Sequence, residues 1–143
     1  MNKSVPPDHR AAIADLVHRY AYNIRHRQGG ECAALFTEDG LFEIRNADPA
    51  DLTSARVSQS LRGREMIRDY IVEKAGSDIL VCPLIHNLLI EVDGETAQSS
   101  CVMTSRTWPS GYELIGEYRD TFRYESGWLF QSRIFTIFRS NPA

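Results

Sequence analysis

The sequence predicts an α+β fold, with helices in the first half and long antiparallel strands in the second. Three observations carry this. Apolar residues recur at helical spacing before residue 28 and again over 63–76. After residue 83 they alternate through four long segments, and only tight-turn residues separate those segments. Helices followed by strands, with no strand–helix alternation, point to helices covering one face of a bent antiparallel sheet. The chain has 143 residues, enough for one core of ordinary size, so 1–143 is expected to be a single domain.

Pro6-Pro7-Asp8 reads as a helix stop followed by an N-cap. From Arg10 to about Arg27, Ile13, Leu16, Val17, Tyr20, Ala21 and Ile24 form one apolar stripe. Gln28-Gly29-Gly30 breaks this helix, and 31-ECAALF-36 makes a short second one. Asp39-Gly40 signals a turn before the first strand, 41-LFEIR-45. Residues 46–59 are polar and without period, which predicts a surface loop. A third helix over 63–76 follows, with Met66, Ile67, Tyr70 and Ile71 on one face.

The second half reads as a four-stranded meander over 84–93, 96–108, 112–124 and 128–138. Its turns are Asp93-Gly94, Pro109-Ser110-Gly111 and Glu125-Ser126-Gly127. Period-two alternation places Leu84, His86, Leu88, Ile90 and Val92 on one face, so His86 is expected on the covered side. In the third segment Tyr112, Leu114, Gly116, Tyr118, Asp120, Phe122 and Tyr124 share a face, with Asp120 its lone carboxylate. The last segment sets Arg133 among Leu129, Gln131, Phe135 and Ile137. It is apolar on both sides, which predicts a homo-oligomer covering its outer face. A concave face with His86 and Asp120 inside and Arg133 near is the candidate site. Isolated polar groups there cost about 2–7 kcal/mol unless paired. They therefore serve either a ligand or one another, the second case being an Asp120–Arg133 ion pair with His86 hydrogen-bonded elsewhere.

Composition excludes several function classes. Net charge is -3 and 43% of residues are hydrophobic, so there is no basic field for nucleic acid or anionic membrane. No apolar run is long enough to span a bilayer, and 1-MNKSVPPDHR-10 lacks the apolar core of a secretory signal, which leaves Asn2-Lys3-Ser4 a chance glycosylation match. Cys32, Cys82 and Cys101 are odd in number and form no CxxC pair. They point to small core side chains and a reducing cytoplasm, not to disulfides or zinc. There is no HExxH, GxSxG, phosphate-binding glycine loop or nucleotide fingerprint, and His9, His18 and His26 read as surface residues without metal-pair spacing.

In order along the chain, "ALFTEDGLFEI", "LRGREMI", "HNLLIEVDGETA", "GEYRDTFRYESGW" and "FQSRIF" resemble the SnoaL-like, NTF2-like superfamily. The likeness is strongest to its branch of scytalone dehydratase and lindane dehydrochlorinase, and it covers nearly the whole chain. The resemblance implies a cone-shaped α+β barrel: a curved antiparallel sheet around a hydrophobic pocket, covered by the N-terminal helices. It also implies dimers or trimers and catalysis without metal or organic cofactor. In the eliminating enzymes of that branch an Asp–His pair removes a proton before water or halide leaves. The family histidine falls on His86 and a pocket arginine on Arg133. The family aspartate falls on Arg25, its two active-site tyrosines fall on Ile24 and about Ile44, and its second histidine falls near Thr107.

Arginine stays protonated and cannot act as the base or orient a histidine as acceptor. Three readings of Arg25 follow. With Arg133 it holds an anionic or carbonyl oxygen while His86 acts as general acid/base and Asp120 is the replacement carboxylate, which makes His86, Arg133 and Asp120 the catalytic candidates. Alternatively, the pocket binds a small hydrophobic acid or aromatic compound without chemistry. In the third reading Arg25 ends the helix and faces solvent. The expected function is a cofactor-independent lyase or isomerase of a small cyclic or aromatic metabolite, with Tyr20, Arg25, Met103 and Tyr118 contacting it. The alternative is a binding module, such as an oxygenase small subunit, on the same fold.

Overall fold

The computed structural model describes residues 8–75 and 80–139. The Pro6-Pro7 stop and the Asn2-Lys3-Ser4 triplet lie outside the described residues. Helix α1 spans His9–Arg25. Asp8 caps it, its carboxylate accepting from the Ala11 N–H at 3.1 Å, as the sequence predicts. Ile13, Leu16, Val17 and Tyr20 are buried on one stripe, and burying each such aliphatic side chain contributes about 1.5–3 kcal/mol. Helix α2 is Gly29–Ala33 and α3 is Arg64–Ala75.

Six strands follow the helical positions and turns: β1 Phe36–Asp48, β2 Asp51–Arg62, β3 Leu80–Asp93, β4 Thr96–Trp108, β5 Glu113–Tyr124 and β6 Trp128–Phe138. They form one sheet in the order β2-β1-β6-β5-β4-β3, antiparallel except where β1 runs parallel to β6. The four-stranded meander is therefore present, with β3 and β4 joined through Gly94 at φ +62°, a conformation glycine adopts without strain. This curved, unclosed sheet with helices on its concave face is the α+β arrangement that the sequence pattern predicts and the cone that the resemblance implies. Helix α1 lies against β3, and the core beneath it is aromatic. Phe130 packs on Phe36 and Phe122 at ring separations of 5.2 and 5.1 Å, and on Tyr20 at 6.0 Å.

Several expectations are corrected, among them the Asp39-Gly40 turn, which lies inside β1, and the second helix, which is Gly29–Ala33 and not 31–36. Residues 46–59, read as a surface loop, instead end β1 and form most of strand β2, Asp51–Arg62, at the sheet edge. Almost every side chain on it is exposed or half-exposed, so it carries no apolar alternation to read. His9, read as a solvated histidine, is half-buried. Its Nδ1 accepts the Trp128 indole N–H at 3.0 Å, tying the start of α1 to β6.

Candidate functional site

The concave side of the sheet and the faces of α1 and α3 enclose a cavity of about 290 Å³. Tyr20, Asn23 and Ile24 of α1 form one wall, and Tyr70, Ile71 and Lys74 of α3 another. Strands supply Phe42, Ile44, Val81, Met103, Ser105, Leu114, Tyr118 and Phe135, and the α1–α2 connection adds Arg27 and Gln28. Most of this surface is apolar or aromatic. Its polar groups are hydroxyls, amides and two cations, with no carboxylate or imidazole in the lining among the described residues. Among the described residues no group of three or more His, Cys, Asp or Glu side chains could hold a metal ion.

Strand irregularities decide which predicted residues reach this space. On β3, His86 pairs with Val102 and Leu89 with Ser100, so three steps on β3 match two on β4. The extra residue is a bulge, and Asn87 within it takes φ +53°, a left-handed conformation that asparagine tolerates better than most. Leu88, Ile90 and Val92 face inward, but before the bulge the parity reverses. His86 is exposed on the outer face beside Leu84, and it hydrogen-bonds the Thr104 hydroxyl at 2.8 Å. The expectation that His86 points into the covered side is thus corrected, and Ile85 takes the inward place.

On β6, Thr121 pairs with Ser132 but Phe122 pairs with Phe130, another extra residue. Arg133 therefore shares the inner face with Phe130 and Trp128, not with Leu129 and Gln131. It pairs across the sheet with Asp120, and Nε lies 3.1 Å from Asp120 Oδ1 with both side chains wholly buried. The guanidinium lies 3.5 Å from the Tyr118 ring centre, 4.4 Å from that of Tyr20 and 4.7 Å from that of Phe130. Neither Nη atom has a hydrogen-bond partner, so the charge is held by one carboxylate and three aromatic faces. Tyr20 and Tyr118 line the cavity, whereas Arg133 and Asp120 are not among its lining residues. The contact between them is the Asp120–Arg133 ion pair that the sequence offers as one of its two readings, although it leaves the guanidinium nitrogens and Asp120 Oδ1 without a well-formed hydrogen bond.

Burial shapes the titration of these groups. It raises the Asp120 carboxyl to about 6, more than Arg133 and the Ser99 hydroxyl lower it. Burial likewise pushes Tyr118 to about 12, against the pull of Arg133, so its phenol is a proton donor and not a base at neutral pH. Cys32 and Cys101 are driven to about 12 and about 11 by burial, the chemistry of inert core thiols.

Tyr20, Met103 and Tyr118 line the cavity, and Arg25 does not. Arg25 is exposed at the end of α1, over the Tyr22 ring at 5.4 Å and 3.3 Å from His26 Nε2. The expectation that Arg25 contacts a cavity ligand is therefore corrected, and the geometry is that of the reading in which Arg25 ends the helix and faces solvent. Helix α1 closes two residues early, and the chain turns so that Arg27 becomes the cavity residue. That turn is a Schellman motif, with Gln28 N–H bonded to Asn23 O at 2.8 Å and Arg27 N–H to Ile24 O at 3.1 Å. Asn23, Arg27, Lys74 and Ser105 went unnoticed in the sequence. For Asn23 and Ser105 a signal exists: one is three residues past Tyr20 on the helix, the other two past Met103 on the strand.

Residues 8–134 match the family described as the SnoaL-like domain. The chain belongs to the SnoaL-like family. Among solved structures this SnoaL-like chain is similar to a variant of Rv3472, a protein of unknown function from Mycobacterium tuberculosis. The two are 26% identical with a TM-score of 0.75, over 91% of this chain and 72% of that one. It is similar in fold to a candidate scytalone dehydratase from Novosphingobium aromaticivorans, at 23% identity and TM-score 0.72, over 91% of this chain and 84% of that one. The β subunit of a candidate aromatic-ring-hydroxylating dioxygenase from the same organism is 18% identical with TM-score 0.76, over 93% of this chain and 91% of that one. No curated protein matches the chain significantly.

Proposed function

We propose that this SnoaL-like protein binds a small ring-bearing molecule in the interior cavity, and that its function rests on that binding. One observation carries the reading: the cavity is apolar and aromatic, while among the described residues its lining holds no carboxylate or imidazole to serve as a base. Such concave, mostly apolar sites with a few polar groups are the usual form of small-molecule pockets. Elimination by an Asp–His pair finds no support, with His86 outside the cone and arginine at position 25. The protein has three methionines, and Met103 is buried in the cavity wall while Met66 is exposed on α3. Methionine-methyl NMR during titration with one- and two-ring compounds tests the reading. A saturable shift of Met103 with Met66 unmoved is expected, and no Met103 shift across the panel overturns it.

A lyase or isomerase activity in the same cavity is the second reading, favoured by Tyr118. Its protonated phenol lines the cavity with Arg133 against its ring face, the arrangement of a donor to a carbonyl or leaving oxygen. Turnover of a bound compound, lost in Tyr118→Phe with binding retained, is its test. Similarity in fold to a dioxygenase β subunit supports an oxygenase partner only as a further variant of the binding role.

The working unit is proposed to be a single domain that assembles with copies of itself through the outer sheet face. Leu84, Leu89 and Ile115 are exposed on this face, at 55%, 70% and 47%. No described helix is long and apolar enough to cross a membrane. The free cysteines support a reducing, cytoplasmic setting.

A further inference from the structure

We infer that the ligand of the cavity is an organic anion, a carboxylate on one or two rings, with its charge at Arg27 and a hydroxyl or carbonyl reaching Ser105. The inference rests on the cavity reading above and adds the charge and polarity of the occupant. Charge balance comes first. Among the described residues two cations, Arg27 and Lys74, belong to the lining and no carboxylate does. Glu73 of α3 acts on the Tyr70 phenol but stands outside the lining. Lys74 is engaged, with its ammonium 5.5 Å from the Tyr70 ring centre, so the recognition falls to Arg27. The Arg27 side chain has no partner among the described residues.

Backbone geometry gives an independent argument. Arg27 is the residue of the Schellman turn that adopts the left-handed conformation, at φ +59°. Glycine is the common choice there because a Cβ is strained in that conformation. A strained arginine, kept without a protein partner and set at the cavity mouth, fits a side chain retained for a ligand. The planar guanidinium fork also matches a carboxylate.

Ser105 supplies the second anchor. It is 6% exposed, it lines the cavity, and its hydroxyl has no hydrogen-bond partner. A buried hydroxyl without a partner is unfavourable, and a ligand oxygen in the cavity would satisfy it. Size sets the body of the molecule: an apolar cavity of about 150 Å³ takes benzene. A space of about 290 Å³ therefore suits two fused rings.

Calorimetry with 2-naphthoate, 2-naphthamide and 6-hydroxy-2-naphthoate tests this in wild type, Arg27→Gly and Ser105→Ala. Naphthoate is expected to bind roughly tenfold tighter than the neutral amide, as a charge-assisted pair predicts, and Arg27→Gly to erase that preference. Arg27→Gly should hold a urea midpoint at or above wild type, which separates lost recognition from lost folding. Ser105→Ala should weaken the hydroxynaphthoate several-fold and leave naphthoate unchanged. Equal binding of acid and amide, or a preference that survives Arg27→Gly, overturns the inference while Met103 still reports an occupied cavity. Silence at Met103 with all three compounds instead sinks the cavity reading and this inference with it.

Discussion

Arg133 stacks its guanidinium on Tyr118 at 3.5 Å from the ring centre, and among the described residues it takes its counter-charge from Asp120. Removing one member of such a buried pair strands the other, which costs about 3–5 kcal/mol. Arg133→Met is therefore expected to lose about that much stability in urea denaturation at pH 7. The double change Arg133→Met with Asp120→Leu should recover most of it, because no charge is left buried. A single variant as stable as wild type would show that the pair contributes nothing.

Stability should also follow pH through Asp120. Its folded carboxyl sits at about 6, above the ordinary value of 3.8, so the folded state holds the proton more tightly than the unfolded chain. The stabilisation from this group is fully present below pH 3.8 and is lost as pH rises through about 6. Urea midpoints at pH 4.5 and 7.5, compared between wild type and Asp120→Asn, isolate this contribution. The variant should lose the part of the slope that favours the lower pH.

Gly116 on β5 is a packing position. A Cβ added there would lie 2.6 Å from both a Phe135 ring carbon and the Thr136 carbonyl oxygen. Phe135 lies over this gap and lines the cavity. Gly116→Ala is expected to cost about 1–3 kcal/mol by overpacking, read as a lowered Tm, and to shift the cavity wall with it.

His86 and Arg25 are expected to be silent in ligand binding. Both are exposed, and neither lines the cavity. His86→Ala and Arg25→Ala should each change stability by no more than about 0.5 kcal/mol and leave the affinity for any cavity ligand unaltered. Calorimetry on the two variants checks this, and a large loss of affinity in His86→Ala would return the histidine to the site.

Leu89 is the most exposed of the large hydrophobic residues on the outer face. Light scattering after size exclusion is expected to find a dimer or trimer for wild type. Leu89→Arg should shift it to monomer without unfolding, since the side chain contributes little to the core.

The helices and the four-stranded meander were legible because each buries one regular stripe, as Ile13, Val17 and Tyr20 do on α1. Strand β2 was illegible for the opposite reason: an edge strand exposed on both sides has no stripe. The candidate site was read only in part. Tyr118 and Asp120 sit on β5 where alternation holds throughout the inner face. His86 and Arg133 stand beside bulges, and a bulge changes backbone phase without changing composition. The end of α1 misled in the same way, because the Schellman turn at Arg27 replaces the next helical position with a left-handed one.

The bulge at Asn87 acts as an expansion joint in β3. It takes up one extra residue, so that side chains on either side keep their faces despite the altered count. A chain shortened by that residue should present the same cavity wall. For protein engineering the practical address also changes. An imidazole wanted inside this cone belongs at position 85, where Ile85 meets Met103 across the sheet, one step from the histidine that nature placed outside.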